Sequence, residues 1–277
     1  MHRPSEFIYF VAGTLCLILS VFLVLQSDFS PLSLSNRIFF ENTDRSYKDY
    51  YQSDLKLHKN SLRQAAVYLP MYSVTTDEDV QRFAESFGMD MDLAQHFDDY
   101  VLLANDTHLL RIYSFLDLIE YEKFSDSAPK DTPICCADAK EIARNFAKDN
   151  LYMHLPFELE LSRCADAITV TLTESLGKIP NLAFPTTITF DTHGNIISAI
   201  HFYFEYEELA RGDLSSPHFA MSKLPKLCQS GEKIRITQHK VAYVFADSIL
   251  QPTHIFQGYY PDGNAFIYHV PAIRNYR

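Results

Sequence analysis

The feature that most limits how this chain can fold is the apolar run from Phe7 to Leu25, which contains no charged residue. As an α-helix rising about 1.5 Å per residue, the run would be roughly 28 Å long, close to the thickness of the hydrocarbon core of a bilayer. No second run of this kind follows it. The sequence therefore predicts one transmembrane anchor with a short tail, residues 1–27, followed by one ectodomain.

We expect residues 7–25 to be retained as an anchor, because the apolar core of a cleaved signal peptide is usually only about 7–15 residues long. The following segment 24–28 (VLQSD) is also a poor cleavage site, but a cleaved signal stays open as the alternative. Arg3 precedes the run and Asp28 follows it. By the positive-inside rule, this predicts a single-pass protein of the cell membrane with a cytoplasmic N-terminus and an extracytoplasmic C-terminal domain.

The formal net charge of the chain, −11 at pH 7, lies on the ectodomain, because residues 1–27 carry only Arg3 and Glu6. Nucleic acids and anionic lipid surfaces are recognised by clustered lysine and arginine. The chain has no basic run of five or more residues. The sequence therefore argues against nucleic acid as a partner, and the acidic surface is interpreted mainly as a source of solubility.

Four cysteines lie outside the apolar run: Cys135, Cys136, Cys164 and Cys228. In an exported domain they would permit two disulfides in three connectivities. The adjacent pair could not bond to itself without strain. We favour mostly free, buried thiols, because a domain of this size needs no covalent staples, but the sequence leaves the disulfide state open.

Residues 28–65 are interpreted as a juxtamembrane linker and helix, the helix covering 47–64. Residues 66–125 form the first predicted unit: a strand at 66–74 that Pro70 pushes towards a sheet edge, then a helix that follows Thr76 and ends at Gly88. Two strands, 100–104 and 108–121, complete this unit, and a turn at 105–107 joins them.

Residues 126–277 repeat the order of a helix followed by antiparallel strands. The helix is predicted at 138–150 from an apolar stripe at helical spacing. The predicted strands are 157–161, 167–174, 186–191 and 196–209, with a tight hairpin at 192–195. A shorter round begins with Ser216 and Pro217 as N-cap and first residue of a helix. Its strands are 233–247, 253–260 and 264–272, joined at 250–252 and 261–264.

This pattern predicts an α+β fold: a single N-terminal transmembrane helix followed by two or more tandem helix-on-antiparallel-sheet units. Strands that alternate apolar and polar residues need only one covered face, so that one helix for each sheet would suffice. The units are expected to share a core.

No motif for catalysis or for a cofactor is present. The eleven histidines lack the spacings of metal sites, and the chain has no phosphate-binding or dinucleotide-binding glycine pattern. His193, His201 and His239 are each interpreted as surface or half-buried residues. Cys135 and Cys136 could ligate a soft metal with a distant histidine, but the spacing disfavours it. We therefore expect no enzyme, no metal and no cofactor.

Two residue classes remain as candidates for function. The first is a set of paired carboxylates, which a hydrolase could use but which arise by chance in an acidic chain: Asp98 with Asp99, Asp117 with Glu120 and Glu122, and Glu205 with Glu207 and Glu208. The second is exposed tyrosine on strands, at Tyr203 beside Glu205 and at Tyr259 with Tyr260, which would suit a protein-binding surface. Because no nucleophile or acid–base group stands out, binding is favoured over catalysis.

The helix DAKEIARNFAKDN (138–150), the hairpin FPTTITFDTHGNIISAIHFYF (184–204) and the segment KVAYVFADSILQPTHIFQGYYPDGNAFIYHVPAI (240–273) resemble the YycH/YycI family of Gram-positive bacteria. The units of that family are related to PepSY-type domains. In such proteins a tyrosine-bearing strand leads to a Leu-x-Pro turn, an outgoing strand, a glycine turn and a last short strand. Leu250, Pro252 and Gly263 stand at the matching positions.

The resemblance implies a regulatory protein that contacts a membrane sensor histidine kinase, together with a paralogous accessory protein, in cell-wall homeostasis signalling. It implies no catalytic residues. The anchor would then be a contact surface as well as a tether, with Gly13 and Ser20 as small residues in the span. Two alternatives stay open: a PepSY-like inhibitor or chaperone of a secreted protease, and an envelope enzyme that uses paired carboxylates.

Overall fold

The structure, a computed structural model, describes residues 51–53, 55, 62–72, 75–124, 135–164, 167–224 and 233–276. All of them belong to one unit, Arg45–Arg277. The predicted anchor at 7–25, Cys228 and the side chain of Cys164 lie outside the described residues. Within the described residues, no helix is both long enough and apolar enough to cross a membrane.

Most of the ordered elements are strands. In chain order they are β1 (Tyr51–Ser53), β2 (Gln64–Met71), β3 (Ala94–His96), β4 (Tyr100–Ala104), β5 (His108–Tyr113), β6 (Leu118–Lys123), β7 (Phe157–Cys164), β8 (Ala167–Leu176), β9 (Ile179–Pro180), β10 (Thr186–Asp191), β11 (Ile196–Phe202), β12 (Glu205–Leu214), β13 (Ile234–Ala246), β14 (Ile249–Tyr259), β15 (Ala265–Pro271) and β16 (Ile273–Tyr276). The helices of the described residues are α1 (Asp77–Ser86), α2 (Cys136–Asp149), the short α3 (Pro217–Met221) and one 3₁₀ turn (Met91–Leu93).

Among the described residues, nine strands form sheet 1, in the order β3-β4-β5-β6-β11-β10-β8-β7 with β9 beside β8. One face is apolar because alternate residues point to the same side of a strand: Ile168, Val170 and Leu172 of β8 are all buried. Helices α1 and α2 both cover this face. Their buried side chains belong to the same core as those of the strands: Val80, Phe83 and Ala84 from α1, and Ala139, Ala143 and Ala147 from α2.

Helix α1 begins where the local sequence predicts. Thr76 caps α1 in a capping box, in which its hydroxyl accepts from the Asp79 amide at 3.2 Å and the Asp79 carboxylate accepts from the Thr76 amide at 3.0 Å. Helix α2 begins two residues before the predicted start, because the Cys135 sulfur accepts from the Asp138 amide as the N-cap. The hairpin at 192–195 is confirmed too, with Gly194 at φ 83°.

Sheet 2 contains seven strands in the part of the chain that the structure describes, in the order β1-β13-β14-β2-β12-β16 with β15 on β14. Strands β13 and β14 form a long antiparallel hairpin, while β1 lies parallel to β13. Helix α3 covers one end of this sheet, where Ala220 and Met221 pack against Ile234 and Phe256. Ser216 is the N-cap of α3 and Pro217 its first residue, as predicted.

The predicted α+β fold of tandem helix-on-antiparallel-sheet units is wrong. The described chain is mostly β-structure, in two sheets, and the helices predicted for separate units share one sheet and one core. Strand β6 pairs with β11, so that sheet 1 crosses the boundary predicted at 125/126, while β2 leaves that sheet and pairs with β12. Alternation of apolar and polar residues identifies which face of a strand is buried, but it does not identify the strand that pairs with it. For this reason the strands were assigned to the wrong units.

Four local predictions also need correction. The predicted helix at 47–64 contains strand β1, and Tyr51 is a core residue of sheet 2. The predicted strand 108–121 is a hairpin, β5 and β6, and the predicted strand 196–209 is divided between β11 of sheet 1 and β12 of sheet 2. The turn predicted at 250–252 lies at Asp247 and Ser248, so that Leu250 and Pro252 lie within β14.

Candidate functional site

Five aromatic side chains meet where the chain passes from sheet 1 to sheet 2. We call them the aromatic surface: Tyr72, Phe184, Phe202, Phe204 and Phe245. The Phe184 ring lies 5.4 Å from Phe202, 4.6 Å from Phe204 and 5.2 Å from Phe245, measured between ring centroids, and Tyr72 lies 5.2 Å from Phe204. Tyr72 is 51% exposed and Phe245 38%, while the other three rings are half-buried. The rings therefore form a continuous apolar patch that solvent reaches.

Asn181 holds Phe184 in this position. It forms an isolated parallel bridge with Tyr243 of β13, and the next amide, of Leu182, donates to the Tyr243 carbonyl at 3.1 Å. The Asn181 side chain is fully buried; its oxygen accepts from the Ala183 amide at 3.1 Å and its nitrogen donates to the Tyr206 hydroxyl at 3.0 Å. The segment that carries Phe184 is thus bound to sheet 2 by hydrogen bonds to Tyr206 and Tyr243.

Three tyrosines of sheet 2 pack against one another, and one of them packs against Phe204 of the aromatic surface. The rings of Tyr68 and Tyr206 lie 6.4 Å apart, those of Tyr68 and Tyr243 5.4 Å apart, and those of Tyr206 and Phe204 6.4 Å apart. Tyr243 is buried, and its hydroxyl donates to the Ala66 carbonyl at 3.1 Å. Edge-to-face packing of this kind adds to the stabilisation from burial, so that the aromatic surface stands on a fixed base.

Glu174, near the end of β8, is a carboxyl group with a strongly shifted pKa. Burial raises the pKa of Glu174 to about 7, because the charged form is poorly solvated. Burial and then the charge of Glu174 raise the pKa of Tyr206. Near neutral pH, Glu174 can therefore take up or release a proton beside the base of the aromatic surface.

The arrangement suits binding. Large aromatic rings bury much apolar area with little loss of side-chain entropy, and they are common among the residues that dominate protein interfaces. A carboxyl group with a pKa near 7 is also what a general acid or base requires, but no nucleophile accompanies Glu174 in the contacts of the described residues. No cluster of three or more histidine, cysteine or acidic residues suited to a metal occurs in that part of the chain.

The predicted histidines do not come together. His193 is half-buried in its turn and His239 is half-buried on β13, as expected. His201 is 3% exposed, against expectation, and its Nδ1 lies 2.7 Å from the Thr186 hydroxyl. Burial lowers the pKa of His201 to about 3, so that it remains neutral in the folded protein.

A second histidine network was not predicted. His239 Nε2 lies 2.9 Å from His254 Nδ1, and His254 Nε2 lies 3.0 Å from the Ser215 hydroxyl. Burial lowers the pKa of both histidines, that of His239 to about 4. A serine bonded to a histidine resembles an activated nucleophile, but Ser215 is 2% exposed and His254 is fully buried. The network is therefore structural.

The paired carboxylates do not form an acid–base site. Asp98 and Asp99 are exposed, Asp117 is buried, and Glu205 and Glu207 are exposed at the start of β12. Glu120 is paired with Arg111 at 2.6 Å and accepts from the Tyr113 hydroxyl at 2.9 Å. Glu122 is half-buried, and Glu208 pairs with Arg211 at 2.6 Å.

The tyrosine and cysteine predictions have mixed outcomes. Tyr203 is half-buried, and its hydroxyl contacts Thr75 at 2.9 Å, so that it is not the exposed residue that was expected. Tyr259 is 50% exposed, and the Tyr260 hydroxyl lies 2.6 Å from that of Tyr268. Cys135 and Cys136 are free, as favoured, but both are exposed and not buried.

The aromatic surface and Glu174 were both missed at the sequence level. Glu174 continues the alternation of Ile168, Val170 and Leu172, which placed it on the buried face of β8, and this was a usable signal. The aromatic surface had no such signal. Its residues come from segments that are far apart in sequence, and only the folded chain brings their rings into contact.

No known protein family matches the sequence, and no curated protein matches it. Among solved structures, the C-terminal domain of Bacillus megaterium YpeB is similar at a TM-score of 0.44 and 13% sequence identity, over 73% of this chain and 94% of that domain. A likeness of this size establishes neither a shared fold nor a function. The resemblance to the YycH/YycI family stays a prediction.

Proposed function

We propose that this chain is a non-enzymatic interaction protein that binds a partner protein through the aromatic surface. The observation that carries the proposal is the contiguity of Tyr72, Phe184, Phe204 and Phe245 at ring separations of 4.6 to 5.2 Å. Single exposed apolar residues are ordinary on soluble proteins, but a contiguous patch marks a binding surface. Glu205 and Glu207 lie exposed next to it and supply a polar rim.

The finer proposal concerns the partner. By the resemblance to the YycH/YycI family, the partner is a membrane sensor histidine kinase, joined by a paralogous accessory protein. Residues 7–25 would anchor the chain in the cell membrane, with the N-terminus in the cytoplasm and the aromatic surface outside the cell. Binding would then adjust the signalling of the kinase, and the anchor would pack against the membrane helices of the kinase.

Photo-crosslinking in the native cell tests the proposal. A benzoylphenylalanine side chain replaces Tyr72 in one full-length variant and Phe245 in a second. Phe115, which is 58% exposed on the turn between β5 and β6, is replaced in the control. We expect one and the same protein to be crosslinked from positions 72 and 245 and not from position 115. Equal products at all three positions, or none, would contradict the proposal.

The identity of the crosslinked protein decides the finer proposal. A histidine kinase supports it, and a secreted protease would instead support the inhibitor alternative. A further variant carries an unrelated apolar span in place of residues 7–25. We expect this exchange to leave the crosslinks of the aromatic surface in place and to remove the effect on kinase signalling; if signalling is unchanged, the anchor is only a tether.

A further inference from the structure

Strand β7 is an unusually long open edge of sheet 1. It contains eight residues, Phe157–Cys164, and in the part of the chain that the structure describes it pairs with β8 alone. The opposite edge of the sheet, β3, has three residues. Proteins usually keep open edges short or cover them, because the unpaired backbone groups of an edge can pair with another strand. An open edge of this length is therefore a candidate binding element.

The direction of the free backbone groups on β7 follows from one hydrogen bond. The Pro156 carbonyl accepts from the Ser175 amide at 2.7 Å. In an antiparallel pair, successive residues direct their N–H and C=O groups alternately towards and away from the partner strand. Phe157, Leu159 and Leu161 therefore present their backbone groups to the open side, where a further strand could bind them.

The two faces of this edge differ in chemistry. On the face towards the core, Phe157, Leu159 and Leu161 are only half-buried although they pack against the core of sheet 1. On the other face, Glu158 and Glu160 are exposed. A strand added beside β7 places its side chains opposite these two rows. Apolar residues of the added strand would cover the row of Phe157, Leu159 and Leu161. Lysine or arginine residues on its other face would form ion pairs with Glu158 and Glu160.

A cavity of about 320 Å³ lies at the N-terminal end of the same edge. It is lined by Arg144 and Lys148 of α2, by His154, and by apolar side chains that include Met153, Leu155 and Phe157. Arg144 and Lys148 are exposed and lie four residues apart, on one face of the helix. Two cationic side chains beside the end of an open strand could form charge-assisted hydrogen bonds with a negatively charged group.

We propose that β7 binds the C-terminal segment of a partner protein as an added antiparallel strand, with the terminal carboxylate in the cavity beside Arg144 and Lys148. The direction follows from the geometry, because only an antiparallel strand ends at the N-terminal end of β7. The segment alternates apolar residues, opposite Phe157, Leu159 and Leu161, with basic residues, opposite Glu158 and Glu160. This surface is separate from the aromatic surface and does not depend on the proposed function.

A second copy of this chain is the less suitable occupant. Two β7 strands side by side in antiparallel register would bring Glu158 and Glu160 of one copy close to the same residues of the other, and like charges across a strand pair are destabilising. A basic segment, in contrast, is attracted both by Glu158 and Glu160 and by the negative net charge of the chain.

The test uses full-length protein in detergent and the fluorescently labelled peptide Val-Lys-Val-Lys-Val with a free C-terminal carboxylate. We expect saturable binding by fluorescence anisotropy and at least a tenfold loss of affinity when the carboxylate is replaced by an amide. Arg144→Gln together with Lys148→Gln should cause a similar loss. Lys240→Gln, which removes an exposed lysine from sheet 2, is the matched control and should leave the affinity unchanged.

Two further comparisons test the strand pairing itself. N-methylation of the central valine removes an N–H that would face Leu159 and should abolish binding. N-methylation of a lysine, whose N–H would face away from β7, should be tolerated. Glu158→Lys with Glu160→Lys should reverse the preference, from the lysine peptide to Val-Glu-Val-Glu-Val. No saturable binding, equal binding of acid and amide, or equal effects of the two methylations would overturn the proposal.

Discussion

At the scale of single residues, two glutamates of sheet 1 differ in how their carboxyl groups are surrounded. Glu174 lies half-buried with a pKa of about 7, whereas Glu120, on the neighbouring part of sheet 1, is paired with Arg111. Burial of a carboxyl group raises its pKa unless an opposite charge or hydrogen-bond donors compensate for the lost solvation. Glu174 therefore costs stability at neutral pH.

We predict that Glu174→Gln stabilises the protein at high pH and has little effect at low pH. The folded protein keeps the proton that the unfolded chain releases near pH 4.5, so that stability falls as the pH rises from about 4.5 to 7 and is lowest above 7. Glutamine removes this dependence. The expected gain at pH 8 is roughly 1–2 kcal/mol, less than the full shift implies because the carboxyl is partly solvated.

The measurement is the urea midpoint of the full-length protein at pH 4 and pH 8. Glu160→Gln, a change of the same kind at an exposed position of β7, is the control and should shift the midpoint little at either pH. Equal shifts for Glu174→Gln at both pH values would contradict the assigned pKa.

At the scale of elements, the β13–β14 hairpin shows how turns and close contacts position a strand. Asp247 and Ser248 both have positive φ, 52° and 66°, which is the backbone of a two-residue turn of type I′. Further along, Gly258 lies so close to β13 that an added Cβ would be 2.0 Å from the Arg235 carbonyl oxygen. The hairpin therefore depends on the left-handed turn at Asp247 and Ser248 and on the absence of a side chain at Gly258.

We predict that Ser248→Gly stabilises the protein by roughly 0.5–1 kcal/mol. The left-handed backbone costs serine about 1–2 kcal/mol, and glycine avoids this cost although it loses more entropy on folding. Ser222→Gly is the control, because Ser222 has φ −65° and gains nothing from glycine. Chemical denaturation checks both variants; a gain for Ser222→Gly as large as that for Ser248→Gly would refute the explanation.

We predict that Gly258→Ala destabilises the protein by roughly 1–3 kcal/mol, because the new methyl group forces β13 and β14 apart at Arg235 and also contacts the Phe266 ring. Gly177→Ala provides the comparison. Gly177 has φ +67° and open space around its Cβ position, so that its replacement reports backbone strain alone. Thermal unfolding should show a larger loss for Gly258→Ala, and the reverse order would show that the close contact is relieved without cost.

At the scale of the whole molecule, both sheets contain histidines that are wholly or partly buried. His201 lies in sheet 1, while His239 and His254 belong to sheet 2, and burial lowers the pKa of all three. In the unfolded chain, histidines take up protons near pH 6.5. Below that pH, these histidines bind protons in the unfolded chain but stay neutral in the folded protein. Proton binding therefore favours unfolding.

We therefore predict that stability falls steeply as the pH drops from 6.5 towards 5, by about 1.4 kcal/mol per pH unit for each histidine that stays neutral. Glu174 acts in the opposite direction with one proton, and His201 and His239, with pKa values of about 3 and about 4, outweigh it. Urea midpoints at pH 7, 6 and 5 measure the slope, and His239→Asn should make it shallower. A slope that does not change in His239→Asn would exclude His239 as a contributor.

Much of the local structure was predictable from the sequence. The start of α1 after Thr76, the turn at Gly194 and the start of α3 at Ser216 were all found, because a helix start or a tight turn depends on residues within a few positions. The division of 196–209 between two sheets was not predictable. Alternation of apolar and polar residues continues through Phe202 and Phe204, and no glycine or proline marks the change of sheet.

The sequence by itself determined where α1 and α3 begin, which face of several strands is buried and where several hairpins turn, since these depend on short-range hydrogen bonds and on side-chain periodicity. Only the tertiary structure decided that β6 pairs with β11, that β2 joins sheet 2 and that Phe184 lies beside Phe204 and Phe245. Strand pairing requires contacts between residues far apart in the chain, and any strand with the correct alternation satisfies the same local pattern. The aromatic surface arises from those distant pairings, which is why it emerged only in the folded chain.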